Sequence, residues 1–224
     1  MLLTRYKTVS LLLVLFILLT GNSITGYGQS KTNTYDIVLA GFTIGTMQAD
    51  KTASGKSEDY QIHSKVEFWF FGKIHVEFLQ NVNFQNGQLM KATTKSDSNR
   101  GNFVTTINWN KDHYDIDANS YKFHNESPIT QAVYGTPAKL YFHEPKDGDV
   151  LISENFGMTT EVREIEKGVY EIDVNGNINR FYYEGGVLQK VVLENNIKNY
   201  SRSQIFRNYF LTSSIKEEDY FRKL

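Results

Sequence analysis

The chain has 224 residues, 24 of them Lys or Arg and 25 Asp or Glu, for a formal net charge of −1. That balance gives no electrostatic reason to expect a nucleic-acid partner. There is no cysteine, which excludes thiolate catalysis, cysteine-ligated metal centres and a disulfide framework.

Arg5 and Lys7 precede the apolar run "LLLVLFILLT", and "GNSITGYG" follows it with Gly26 and Gly28 just ahead of Gln29. This is the layout of a secretory signal peptide over residues 1–28. The apolar run is shorter than the ~20 residues that span a bilayer comfortably. The predicted address is therefore the periplasm or outer envelope of a Gram-negative bacterium, or secretion from it.

Residues 29–196 read as one antiparallel β-domain. In "GFTIGTMQAD", residues 41–50, a strand-like pattern contains Gly41 and Gly45. A dinucleotide or phosphate loop needs a helix directly after its glycines. Here strand-like residues and then the polar turn "KTASGKSEDY" follow instead. A bent strand, with a bulge or barrel corner at the glycines, is the expectation.

"YQIHSKVEFWF" places Tyr60, Ile62, Val66, Phe68 and Phe70 on one face and Gln61, His63, Lys65 and Glu67 on the other. "IHVEFLQNVNF" repeats the pattern with Ile74, Val76, Phe78, Val82 and Phe84. Hairpin turns are expected at Asn86-Gly87, at Asn110-Lys111-Asp112, at Asn175-Gly176 and at Gly185-Gly186. Short strands at spacings of about 8–12 residues point to an all-β fold: a curved antiparallel sheet forming an open or closed barrel-like domain.

One stretch interrupts the strands. "SPITQAVYGTPAKLYFHEPKDGD" holds all three prolines, Pro128, Pro137 and Pro145. It is predicted to be a loop crossing with a helical turn over Ile129–Tyr134, capped by Ser127. The tail, residues 197–224, is predicted to be an extension that is either a short helix presenting Ile205, Tyr209 and Phe210 or disordered. Such a face could touch a membrane.

The polar candidates are four. His143 and Glu144 lie in the crossing, where functional residues concentrate. His63 and His75 flank the turn "FFGK", with Glu67 and Glu77 on the same polar face. That set could serve as acid–base groups, as metal ligands or as plain cross-strand charge pairing. Asp112, Asp115, Asp117 and Asn119 lack the order of a calcium loop. No serine-hydrolase elbow is present, and no cofactor is called for. The apolar candidates are Phe42, Phe68, Phe70 and Phe78, whose rings could line a pocket.

Several segments also carry a family likeness. Gly41-Phe42-Thr43-Ile44-Gly45, "LYFHEP" at residues 140–145, "SENFG" at 153–157 and "GNINRFYYEGGVLQKVVLE" at 176–194 occur in this order. Together they resemble a family of exported bacterial domains of unknown function, DUF6134, common in Bacteroidota, over residues 33–196. The resemblance implies an exported, mostly antiparallel β protein without assigned chemistry, and it assigns no catalytic residue. The favoured expectation is a non-enzymatic envelope protein whose partner is an envelope component. The alternative is a carrier of a lipid or other hydrophobic small molecule, and a hydrolase or metal-dependent enzyme is the weakest reading.

Overall fold

The computed structural model describes residues 28–39, 41–69, 73–193 and 209–213. The expected signal peptide, Phe70 and Ile205 lie outside the described residues. Period-two alternation produces long strands where it is sustained: β1 (Gln29–Leu39), β2 (Phe42–Ser54), β3 (Ser57–Trp69), β4 (Lys73–Gln85), β5 (Gln88–Ser98), β6 (Gly101–Asn110) and β7 (His113–Ser120). Then come β8 (Phe123–Asn125), the single-turn helix α1 (Pro137–Leu140), β9 (Val150–Ser153), β10 (Met158–Glu161) and β11 (Arg163–Glu166). The chain continues with β12 (Val169–Val174), β13 (Asn177–Glu184), β14 (Val187–Leu193) and β15 (Tyr209–Ser213). The predicted all-β class is observed.

Thirteen strands form one sheet in the order β11-β12-β13-β14-β15-β1-β2-β3-β4-β5-β6-β7-β8, and β9 and β10 pair separately. Neighbours are antiparallel throughout. In strand order the sheet is open, with β11 and β8 at its edges. The hairpin turns fall where they were expected. Left-handed backbone occurs at Asn86-Gly87, Lys111, Asn175-Gly176 and Gly185-Gly186, as tight hairpin turns require.

The opening glycines resolve into two different devices. The bent strand expected across Gly41 is a hairpin: Leu39 pairs with Phe42, and Gly41 turns the chain at φ 85°. Gly45 does sit at a bulge. Ile37 pairs with Gly45 and Val38 with Thr43, which leaves Ile44 as the extra residue. A Cβ on Gly45 would stand 2.1 Å from the Lys65 carbonyl oxygen, so the missing side chain admits the β3 backbone. Sequence alternation alone cannot distinguish a turn from a bend, because both leave the flanking residues extended.

The crossing and the β9–β10 hairpin that follows it form one strap, which lies against the inner face of the sheet and is tied to strands along nearly its whole width. Tyr114 N–H of β7 donates to Ile129 O (2.8 Å), and Leu89 N–H of β5 donates to Val133 O (2.9 Å). Asn33 of β1 donates to Tyr141 O (3.0 Å), and the Tyr183 hydroxyl of β13 donates to Leu140 O. Thr94 of β5 and Thr105 of β6 donate to the carbonyls of Glu154 and Asn155 at 3.1 and 3.2 Å. Asn125 of β8 donates to Gly157 O at 3.0 Å. Buried backbone polar groups must be paired, so a strap laid over the inner face has to find such partners.

Between strap and sheet lies the core. Tyr60, Phe84, Leu89, Ile107, Tyr114, Phe181 and Val191 of the sheet are buried, with Val133, Ala138, Leu140 and Ile152 of the strap. The helical turn expected at Ile129–Tyr134 is instead α1, which has Pro137 at its first position and Thr136 as N-cap residue. Ile129 is occupied in a β-bridge to Tyr114. The Ser127-Pro128 pair offered the same start signal, but tertiary pairing of Ile129 overrides it.

The tail helix expected through Tyr209 and Phe210 is a strand. β15 pairs with β1 (Leu39 opposite Tyr209) and with β14 (Leu193 opposite Tyr209). "YFLTS" is rich in aromatic and β-branched residues, and two strand edges stand ready to receive it.

Candidate functional site

The polar candidates occupy two places. On the outer face, the hairpin of β3 and β4 sets Glu67 opposite His75 and Lys65 opposite Glu77. His63 Nε2 lies 2.9 Å from Glu77 Oε1, and His75 Nδ1 lies 3.3 Å from Glu67 Oε1. Lys65 Nζ lies 3.5 Å from the same Glu67 oxygen. Lys65 holds the Glu67 carboxyl below the usual range, and the hydrogen bond from His63 does the same for Glu77. This is a ladder of alternating charge on an open face. Among the described residues no group of three or more His, Asp or Glu is placed to hold a metal ion.

The second place is where the strap meets β2 and β3. His143 Nε2 and Lys51 Nζ are 2.8 Å apart. Lys51 Nζ also reaches Glu58 Oε1 at 2.6 Å, and Lys139 Nζ of α1 stands 4.0 Å from Glu58 Oε2. Lys51 and Glu58 are inward residues of β2 and β3, with side chains 16% and 27% exposed. Burial raises the Glu58 pKa, but the Lys51 and Lys139 ammonium groups outweigh it and leave the carboxyl below its ordinary value. Burial lowers the pKa of Lys139 and of His143, and for His143 the neighbouring Lys51 cation adds to the effect.

Glu144 points the other way and accepts a hydrogen bond from the Tyr170 hydroxyl of β12 at 2.9 Å. His143 and Glu144 are thus brought to opposite sides of the strap, not to one centre. The lone pair of His143 Nε2 is taken by an ammonium, and the Glu144 carboxylate by a phenol. Both residues fasten the strap to the sheet.

Four charged residues of this region were not singled out from sequence: Lys51, Glu58, Lys139 and Glu154. Glu154 is 2% exposed and accepts the Ala138 N–H at 3.0 Å, beneath the first turn of α1. Burial pushes its pKa up to about 6. The signal available was a lone carboxylate in the otherwise uncharged run "VLISENFGM".

The apolar candidates do not converge on one cavity. Phe42 is 75% exposed. Phe68 is half-buried against the core and Phe78 is half-buried on the neighbouring strand. A depression of about 360 Å³ lies on the outer face of β2–β5 among Asp50, Asn81, Asn83 and Lys91. One of about 110 Å³ lies near Ser96, Arg100 and Tyr121. Neither is lined by Phe42, Phe68 or Phe78.

A solved structure similar to this chain is a beta-barrel-like protein of domain of unknown function DUF1849 from Brucella abortus. The two are 9% identical with a TM-score of 0.46, over 81% of this chain and 94% of the other. No curated protein matches. Residues 35–202 match the family described as domain of unknown function DUF6134, a span that takes in "LYFHEP", "SENFG" and the closing strands. The chain belongs to the DUF6134 family.

Proposed function

We propose that the protein is an exported, non-enzymatic β-module of the bacterial envelope that acts through its surface. The observation that carries this reading is the strap. Residues of the chain itself cover the inner face of the sheet over Tyr60, Phe84, Leu89 and Ile107, where a carrier would keep its ligand. Phe84, Leu89, Ile107 and Ile152 have no exposure at all. The basic and apolar leader supports export. The engaged states of His143 and Glu144 support a structural role for both.

A second reading rests on a specific feature. Beyond the strap, Val66, Phe68, Ile74, Val76 and Phe78 are only half-buried on the inner side of the β3–β4 hairpin. A small hydrophobic molecule held there would make the protein a carrier.

Native mass spectrometry of protein recovered from its own host, with cell fractionation, tests both readings. The expected result is an envelope-associated chain beginning near Gln29 without bound ligand. A chain retaining Met1 in the cytoplasm would overturn the envelope reading. A lipid at near-stoichiometric occupancy would replace it with the carrier reading.

A further inference from the structure

Antiparallel pairing brings to one end of the sheet the close of β1, β3, β5 and β7 and the start of β2, β4, β6 and β8, together with the β12–β13 turn. Successive hairpins step back along the strands, with Val76 opposite Ser98 and Thr105 opposite Ala118. Tilted strands in a barrel-like sheet need such a stagger to keep their connectors at one level.

The described residues at this end include a set that is aromatic and cationic. Phe42 and Trp69, 75% and 78% exposed, are the two most exposed large hydrophobic residues described. Phe42 opens β2 and Trp69 closes β3, where Trp69 pairs with Lys73. Further along, the exposed Tyr121 ring stands between Arg100 Cζ at 5.1 Å and Lys122 Nζ at 5.2 Å. Arg100 and Lys122 enter no ion pair among the described residues. Glu67 is engaged by Lys65 and His75 and feels Lys73, and Asp97 sits on β5 opposite Asn102. The connectors 55–56, 86–87 and 111–112 at the opposite end read Gly-Lys, Asn-Gly and Lys-Asp, and the exposed aromatic residue there, Tyr134 beside Gly87, belongs to the strap.

We propose that the end bearing Phe42, Trp69, Arg100, Tyr121 and Lys122 docks on an anionic lipid surface. Exposed aromatic rings favour the headgroup region, where an apolar body can leave water while its polar edge stays solvated. Cations beside them are drawn to lipid phosphates. The inference rests on the envelope reading only for where in the cell such a membrane is met.

Vesicle binding by the full chain tests it. The chain has two tryptophans, so Trp109→Phe leaves Trp69 as the single reporter. Phosphatidylglycerol-containing vesicles should shift Trp69 emission to the blue, and brominated acyl chains should quench it. Pure phosphatidylcholine vesicles should do so far less. Arg100→Gln with Lys122→Gln should weaken partitioning on the order of tenfold, and Phe42→Ser should weaken it further. Because Trp109 packs on Tyr114, co-flotation of wild type against Trp69→Ser supplies the same comparison should that reporter chain fail to fold. Flotation without any change at Trp69 would assign binding to the leader and overturn the proposal. So would equal binding by the Arg100/Lys122 variant. Self-association lost in Trp69→Ser, without vesicle binding, would assign the end to a second copy and overturn it as well. Vesicle binding by a protein found outside the envelope would remove the envelope reading and leave the docking surface standing.

Discussion

Lys51 Nζ lies 2.8 Å from His143 Nε2, so an ammonium donates to an imidazole nitrogen that must be unprotonated. The ring proton is thereby assigned to Nδ1. Protonating Nε2 would set two cations against each other in a partly buried site that also contains Lys139, with Glu58 the only carboxylate paired to Lys51 among the described residues.

His143 is accordingly expected to titrate below its ordinary 6.5, because burial and then Lys51 disfavour the imidazolium. A depressed folded value means that the unfolded chain takes up this proton first. The contribution to stability is present above pH 6.5 and is lost as pH falls through the folded value. Histidine NMR should place His143 below 6.5, and Lys51→Met should raise it. A midpoint at or above 6.5 in the wild type would contradict the assignment.

Glu154 has the opposite sign. Its folded pKa is raised by burial to about 6 from 4.5. Its contribution is full below pH 4.5 and is lost as pH rises through about 6, a change of about 2 kcal/mol. Glu154→Gln keeps an acceptor for Ala138 N–H and should remove that slope. Urea midpoints of wild type and variant across this window measure it, and parallel pH profiles would refute it.

Gly45 and Gly41 should separate sharply. Gly45→Ala drives a Cβ to 2.1 Å from a backbone oxygen that cannot rotate away, and a cost of ~3 kcal/mol or more is expected. Gly41→Ala meets open space but carries φ 85°, a strain of about 1 kcal/mol. Chemical denaturation of both variants reads the difference, and equal losses would mean that the bulge relaxes.

Phe84→Ala removes a ring with no exposure that packs edge-on against Tyr60 at 5.7 Å. The expected loss is about 3–5 kcal/mol. Phe68, half-buried at the edge of the core, should cost only about 1 kcal/mol in the same substitution. Similar losses at both positions would show that the β3–β4 hairpin is covered in solution beyond what the strap covers.

The sheet was legible because its signals are local. Tyr60 and Ile62 face inward while Gln61 and His63 face out, and this follows from period two alone. Asn86-Gly87 marks its turn by backbone preference. The strap was legible only as an interruption. Nothing near Ile129 announces that its partner is Tyr114, and nothing near His143 announces Lys51. Such pairings depend on how far the sheet curls. The same limit hid Glu154, whose role is set by Ala138 arriving from another segment.

The position of β15 makes it the joint of the sheet. Among the described residues, the hydrogen-bonded ladder of β1 to β8 joins that of β11 to β14 through Tyr209–Ser213, which pairs with β1 on one side and β14 on the other. Without β15 the chain carries two partial sheets, and β1 and β14 each present an unpaired edge. Such edges are templates for pairing between chains, and closing them requires contacts across most of the sequence. The docking of β15 is thus a splice: one short strand covers two sheet edges at once, one on β1 and one on β14.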